Sequence, residues 1–346
     1  MSRIYLDFNA TTPLRATARA AMMAAMDVIG NPSSVHAEGR TAKAIGERAR
    51  AQVSDALGAA GADIVFTSSA TEAAALACAG RGFRGAAIEH DAVLGWIEPS
   101  LPVSGDGVVV PDDPGVAALQ LANSETGVLQ DLPDGLALSD LTQGFGKVPF
   151  GFDWLGCDMG LISAHKLGGP KGVGALVLKR GLDVAPRIIG GGQEMGRRSG
   201  TENVIGIAGF GAAAETAARD LADGRWDEVA KFRNILENAL EAASNTTIFV
   251  GKGSRRLPNT SCFATPGWKG ETQVMQMDLA GFAISAGSAC SSGKVKSSTV
   301  LEAMGLGGVA ANAIRVSLGL ETTEDDVMRF AEVWAQKLKK HEARAA

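Results

Sequence analysis

The stretch SAHKLGGPKGVGAL, residues 163–176, decides how this chain is read. An apolar run of strand length, residues 159–163, leads into it. A hydroxyl, an imidazole and an amine follow (Ser163, His165, Lys166), then a glycine-rich turn and a second apolar run at 174–178. A lysine at a strand end, beside glycines that let a ligand approach, can be desolvated. Burial disfavours the ammonium form, lowers the pKa and makes the amine a nucleophile toward aldehydes. Taken alone, Lys166 reads more readily as an exposed loop lysine beside a tight turn.

Outward from this segment, helices and short strands alternate. The pattern predicts a helix from Thr12–Pro13 that continues to Gly30, with Pro13 at the first helical position, and a second over 34–57 that stops at Gly58. A strand at 63–68 and a helix from Ala70 follow, then strands at 86–88, 108–110, 117–121, 159–163 and 174–178. Such alternation predicts a mostly parallel sheet covered on both faces. After Thr201 the pattern changes to two long helices, about 201–221 and 226–243, and a second α/β set with strands near 248–250 and 314–318. The last helix opens at Thr322 or Thr323, with Glu324, Asp325 and Asp326 in its first turn, where negative charge is favoured.

Composition narrows the function. The chain has 346 residues, 46% hydrophobic and 21% charged, enough for a full core and against overall disorder. A net charge of −5 and one tyrosine argue against a basic nucleic-acid face, a polybasic membrane anchor or a base-stacking platform. The four cysteines (Cys78, Cys157, Cys262, Cys290) have no CxxC spacing and do not cluster with histidines, so no structural zinc site is expected. No signal-peptide core or membrane span is expected, which makes a reducing cytoplasm the default. No GxGxxG opens a helix after a strand and no Walker A pattern occurs.

Several residues carry candidate chemistry. Asp140, after a short apolar run and 26 positions before Lys166, suits a pyridinium partner or, as readily, a helix cap. SSATEAAA (68–75) is a strand–turn–helix junction, which offers either an anion site or ordinary capping. His90 follows a short strand and reads as a ring-stacking group or a structural histidine. Arg315, inside the apolar strand AIRVSLG, needs an anion, either a bound carboxylate or an internal partner. Cys290 lies in the small-residue loop SAGSACSSGK, where little bulk crowds the thiol and Lys294 and Lys296 favour thiolate. Cys78, Cys157 and Cys262 sit among apolar neighbours and read as inert.

These pieces occur together and in order. YLDFNATTP, GNPSSVH, TSSATE, IEHDAVL, ANSETGVLQ, DLTQGFGK, SAHKLGGPKG, GGGQEMGRRSGTEN, GSACSS and IRVSLG resemble the cysteine desulfurases, within the class V aminotransferase group of fold-type I pyridoxal-phosphate enzymes. The resemblance runs from Ile4 to the last helix. It implies an α/β fold whose large domain (15–240) has a mostly parallel, seven-stranded-type sheet covered by helices. A smaller α/β domain is built from both ends of the chain (1–14 and 241–346). It further implies a homodimer, pyridoxal 5'-phosphate as cofactor, L-cysteine as substrate and a sulfur-acceptor protein, such as an iron–sulfur scaffold, as partner.

Residue by residue, Lys166 matches the lysine that carries the cofactor and Asp140 the partner of the pyridine nitrogen. Gln143 matches the residue on the phenolic oxygen, with Ser124 near it, and His90 the ring-stacking histidine. Ala70, Thr71, Ser163 and His165 match the phosphate cup, and Thr201 the threonine that reaches the neighbouring subunit's phosphate. Arg315 matches the substrate-carboxylate clamp, with Asn123 beside the substrate. Cys290 matches the persulfide-forming cysteine. Lys166, Cys290 and His90 are the implied catalytic residues, and sulfur leaves cysteine as a persulfide while alanine is released. A selenocysteine lyase, an aminotransferase or a regulatory relative are the alternatives, and the GSAC loop disfavours transamination.

The chain departs from the family pattern at Ser124, where a second asparagine is usual, at Phe8, where a small polar residue is common, and at Met195, where arginine is usual. The segments His90–Asn123 and Asn123–Asp140 are short, and Pro133 and Gly135 oppose a helix there. The expectation is a sheet missing part of its helical cover, with apolar surface left for a partner or second subunit.

Overall fold

The computed structural model describes residues 3–287 and 297–345. Its main sheet is built around Met159–Ser163. On one side this strand pairs antiparallel with Gly174–Lys179, which pairs antiparallel with Ala62–Thr67. On the other side the strands run parallel. Ser139–Asp140 pairs with Gly160–Leu161, a parallel bridge joins Leu138 to Ala118 and another joins Ala117 to Arg84, and Arg84–Ala86 pairs with Glu98–Leu101. Among the described residues the sheet thus has seven strand segments, of which only Gly174–Lys179 runs against the rest. It is the mostly parallel sheet expected.

Alternating side chains put Ile64, Phe66, Ile162 and Val177 on one face and Val65, Leu161, Leu176 and Leu178 on the other. The first face is covered by helices Ala16–Met26, Ala37–Leu57 and Val204–Ala222. Small residues let the last two come close: a Cβ at Gly211 would lie 2.7 Å from the Ala49 Cα. The opposite face is covered by helix Ala70–Cys78. A second core gathers Ile4 and Leu6 with Trp226, Leu236, Phe263, Trp268, Phe330 and Trp334. Its strands Ala313–Ser317, Thr260–Ala264 and Ile248–Phe249 are antiparallel, and Ile4–Tyr5 pairs with Phe282–Ala283.

Several expectations are corrected. The first helix begins at Ala16, not Pro13, because the 12–15 backbone is spent elsewhere: the Thr12 and Arg15 N–H groups donate to His165 and Gly168 carbonyls. The second begins at Ala37, capped by His36, and ends at Gly58, which takes the left-handed conformation (φ 60°). Residues 108–110 form no strand; Val110 is exposed and the Val109 N–H donates to the Gln130 side chain. The last helix, Glu324–Ala345, is preceded by a reciprocal cap between Thr323 and Asp326.

The trimmed region behaves differently from the expectation. No helix lies between Asn123 and Asp140, and only the turn Asp91–Leu94 is helical in the segment after His90, apart from one 3₁₀ turn at 114–116. Yet the sheet beneath is not bare: Val65, Ala118, Leu138, Leu161 and Leu176 are all buried within this one chain. The last two strands on the trimmed side are three and four residues long, so helix Ala70–Cys78 and nearby loops suffice to cover them.

Candidate active site

In a sheet of this kind the parallel strands share one carboxyl edge, and ligands bind in the crevice outside it. Here that edge collects Thr67, Ile88, Leu121, Asp140 and Ser163. Register does the rest: Gly174 pairs with both Thr67 and Ser163, so the start of helix Ala70–Cys78 lies next to the strand that leads into Lys166. A Cβ on Gly174 would lie 2.6 Å from Ser69 C and 2.9 Å from Ala70 N. Only a glycine lets that helix start seat so closely. Ser69 caps it, Glu72 accepts back from Ser68 N–H, and Arg198 pairs with Glu72 at 2.8 Å.

Lys166 Nζ donates to the carbonyls of Asn9 (2.6 Å) and Ala10 (3.0 Å). The loop 7–15 therefore wraps the lysine. Thr12 Oγ1 donates to the Lys166 carbonyl, and Thr11 Oγ1 lies 3.1 Å from His165 Nδ1. Burial, followed by the charges of Lys166, Lys171 and Lys147, pushes His165 down to about 4, so its imidazole is neutral at physiological pH. His90 Nδ1 accepts the Ala92 N–H at 3.1 Å, which places the ring hydrogen on Nε2. Asp140 Oδ1 accepts the Thr142 N–H at 2.9 Å. The buried Gln143 donates from Nε2 to the Asn9 carbonyl.

Arg315 enters from the second sheet. It is 6% exposed, donates from one terminal nitrogen to the Ser124 carbonyl (2.9 Å) and from the other to Asp7 Oδ1 (2.7 Å). Its Nε is buried without a hydrogen-bond partner among the described residues. The two readings of Arg315 therefore meet in one side chain: an internal ion pair, with a donor left over for an anion. Asn123 is occupied by its own turn. Its Oδ1 accepts from Glu125 N, Thr126 N and Thr126 Oγ1, and its Nδ2 donates to the Ile88 carbonyl. Ser124 meets Arg315 and Asn9 through its backbone carbonyl.

Thr71 and Thr201 are exposed on this single chain, and Ser163 is buried at its strand end. Cys290, with Lys294 and Lys296, lies outside the described residues. Cys78, Cys157 and Cys262 are buried, and desolvation pushes each thiol up to about 12, so they stay protonated and unreactive.

Three contributors were not singled out from the sequence: Asp7, Asn9 and Lys147. All three lie inside motifs quoted above, YLDFNATTP and DLTQGFGK, so the segments were visible although the roles were not. A cavity of about 800 Å³ lies away from Lys166, between helix Ala37–Leu57 and the loop carrying Glu194 and Met195. These two non-glycine residues have φ of 48° and 58°. Bidentate pairing of Glu194 with Arg50 at 2.9 Å, together with the Phe66 N–H, holds that loop.

Comparison with known proteins places this geometry in a family. The class-V aminotransferase pattern matches residues 4–93 and 108–330, and the chain belongs to that family. The gap, 94–107, falls in the segment read as shortened. A cysteine desulfurase (IscS) from Dictyoglomus turgidum is 35% identical, across 97% of this chain and 95% of that protein. A cysteine desulfurase from Cereibacter sphaeroides is 39% identical, across 96% and 95%. The crystal structure of a NifS-like protein from Rickettsia africae superposes with a TM-score of 0.87 at 33% identity, covering 96% of this chain and 99% of that one. Within the class-V family the chain thus groups with the cysteine desulfurases.

The cofactor of this family is pyridoxal 5'-phosphate, and the residues present fit it. The carboxyl edge offers an amine (Lys166), a carboxylate (Asp140), an amide (Gln143), a neutral imidazole (His165), and a hydroxyl (Ser163) beside a helix N-terminus. The close seat at Gly174 leaves that helix start at the strand ends, where a phosphate is favoured.

Proposed function

We infer that the chain is a pyridoxal-phosphate-dependent cysteine desulfurase that converts L-cysteine to L-alanine and leaves the sulfur as a persulfide on Cys290. The observation that carries this reading is the gathering, at one sheet edge, of the Lys166 amine with Asp140 and Gln143, and with an arginine tied in through Ser124 and Asn9 whose buried Nε has no partner among the described residues. Lys166, Asp140, Gln143, His90, Ala70, Thr71, Ser163, His165 and Ser124 form the cofactor site. Thr201, exposed here, serves the partner subunit. Arg315 takes the substrate carboxylate through Nε, with Asn123 shaping the wall beside it.

When bound, pyridoxal phosphate supplies an electron sink that acidifies the substrate Cα–H bond. The chain supplies the rest. Lys166 Nζ, held by two carbonyls, takes the Cα proton. Arg315 fixes the carboxylate so that this bond faces the amine. The Cys290 thiolate attacks the substrate sulfur. The C–S bond breaks, an S–S bond forms, and Cβ ends with one more hydrogen, so thiol plus cysteine equals persulfide plus alanine without an outside oxidant or reductant.

The persulfide passes to an acceptor protein for iron–sulfur or other thio-cofactor assembly or tRNA thiolation. The enzyme works as a cytoplasmic homodimer. Exposed Ile29, Val35, Ile188 and Ile189, with the exposed Thr201, support a subunit contact near the 188–201 loop. No helix among the described residues is long and apolar enough to cross a membrane. We divide the chain into a large domain, 15–240, and a small one, 1–14 with 241–346; helix Arg225–Ala243, which packs in the second core, bridges them.

The test is Cys290→Ala. The variant should keep the visible absorption of the cofactor bound at Lys166 and lose sulfide and alanine release from cysteine with dithiothreitol. Wild-type turnover in that variant would remove Cys290 from the reaction. Selenocysteine supplied beside cysteine separates a lyase from a desulfurase.

A further inference from the structure

Lys147 is the group that the mechanism above does not use. It is 3% exposed and reaches the site from the segment after Asp140. Its Nζ donates to Gln143 Oε1 at 2.9 Å and lies 3.4 Å from Asn9 Oδ1. Gln143 Nε2 donates to the Asn9 carbonyl, which also accepts from Lys166 Nζ. Asn9 is itself fixed: Nδ2 donates to Thr260 Oγ1 and its backbone N–H to Ser317 Oγ. The two lysines are thus tied through one glutamine and one asparagine.

An ammonium has donors only, and an amide has one acceptor end and one donor end. Facing Lys147, Gln143 must present its oxygen; facing the Asn9 carbonyl, it must present its NH2. Both contacts force the same orientation. We propose that Lys147 is a positioning residue that locks the Gln143 amide with its NH2 edge toward the cofactor side, ready to donate to the phenolic oxygen. This deepens the proposed function and rests on it. The charged groups facing Lys147 are Lys166 and Arg315. They add to its burial in bringing its pKa to about 7, so the ammonium forms most fully below neutral pH.

Removing the amine leaves the Asn9 carbonyl alone to orient the amide, so the flipped amide, which turns a carbonyl toward an oxygen that carries negative charge, gains population. The proton on the Lys166 nitrogen is then held more tightly. The experiment is a double-mutant cycle of Lys147→Met and Gln143→Ala on the purified holoenzyme. It reads the pH midpoint of the cofactor's visible absorption and the cofactor's dissociation constant, with melting of the cofactor-free proteins as the folding check. Each single substitution should raise the midpoint by about one pH unit, a tenfold change in proton affinity. The double variant should go no further than either single one, since residues acting through one contact are not additive.

Additive shifts would mean that Lys147 acts by charge alone, and an unshifted Lys147→Met would mean that it does not act on the cofactor; both overturn the proposal. If Lys147→Met does not fold, Lys147→Ala, which leaves room for water, takes its place in the cycle. Failure of the underlying reading looks different: wild-type protein incubated with pyridoxal phosphate would show no Lys166-dependent band at all.

Discussion

Gly174→Ala tests how the site is assembled without touching any reacting group. Gly174 is the first residue of its strand, and the added Cβ would lie 2.6 Å from Ser69 C, 2.7 Å from the Ile162 carbonyl oxygen and 2.9 Å from Ala70 N. Carbon atoms in contact prefer about 3.5–4.0 Å, so strand and helix start must part by about 1 Å. All three neighbours are backbone, so no side chain can swing aside. Overpacking of this kind costs about 1–3 kcal/mol. The shift lands on the Ala70–Thr71 amides, and a 1 Å misplacement of positioning groups costs on the order of a hundredfold in function.

Urea unfolding of the cofactor-free variant should therefore show a loss of about 1–3 kcal/mol. Spectroscopic titration with pyridoxal phosphate should show affinity weakened by at least about tenfold, which is about 1.4 kcal/mol. Gly46→Ala is the control. It sits inside helix Ala37–Leu57 with nothing within 4 Å of the added carbon, and should stabilise by about 0.5–1 kcal/mol. Wild-type stability and cofactor affinity in Gly174→Ala would refute the claim that this close seat builds the phosphate end of the site.

Two further substitutions probe separate links. Glu89 is fully buried, accepts the Gln120 N–H through one oxygen and leaves the other without a partner among the described residues; burial, with Asp140 nearby, raises its pKa well above the usual carboxylate range. A raised acid is protonated when folded but ionises when unfolded, so it costs stability increasingly as pH climbs above the unfolded pKa toward the folded one. Glu89→Gln should therefore gain on wild type between pH 5 and 8 in urea titrations, and parallel stability curves would contradict this. Arg315→Lys keeps a charge but loses the planar fork that serves Ser124, Asp7 and a third acceptor together. The KM for cysteine should rise by about ten- to a hundredfold, as expected for losing a charge-assisted hydrogen bond, while cofactor absorption stays unchanged; an unaltered KM would place the substrate carboxylate elsewhere.

The sequence was most legible where chemistry and local structure coincide in one segment. SAHKLGGPKG shows its strand, turn and amine together. It was least legible where the backbone is claimed by distant partners. Pro13 looked like a helix start, but the neighbouring N–H groups of Thr12 and Arg15 are taken by carbonyls at 165 and 168. The shortened 90–140 region looked like an uncovered sheet. A sheet with edge strands this short needs less cover, and burial of Leu138 and Leu161 depends on what packs across them.

By itself the sequence determined the alternation of strands and helices and the order of the motifs, because each follows from local pattern, and the motifs taken together carried the resemblance that named Lys166 and Cys290 as candidates. Only the tertiary structure decided that Asp7 and Asn9, near one end of the chain, would hold Arg315 and Lys166, and that Lys147 would be buried against Gln143. A carboxylate, a carbonyl and an ammonium are ordinary surface groups in a linear chain. They become positioning groups when folding removes water from around them and leaves one another as the partners that remain.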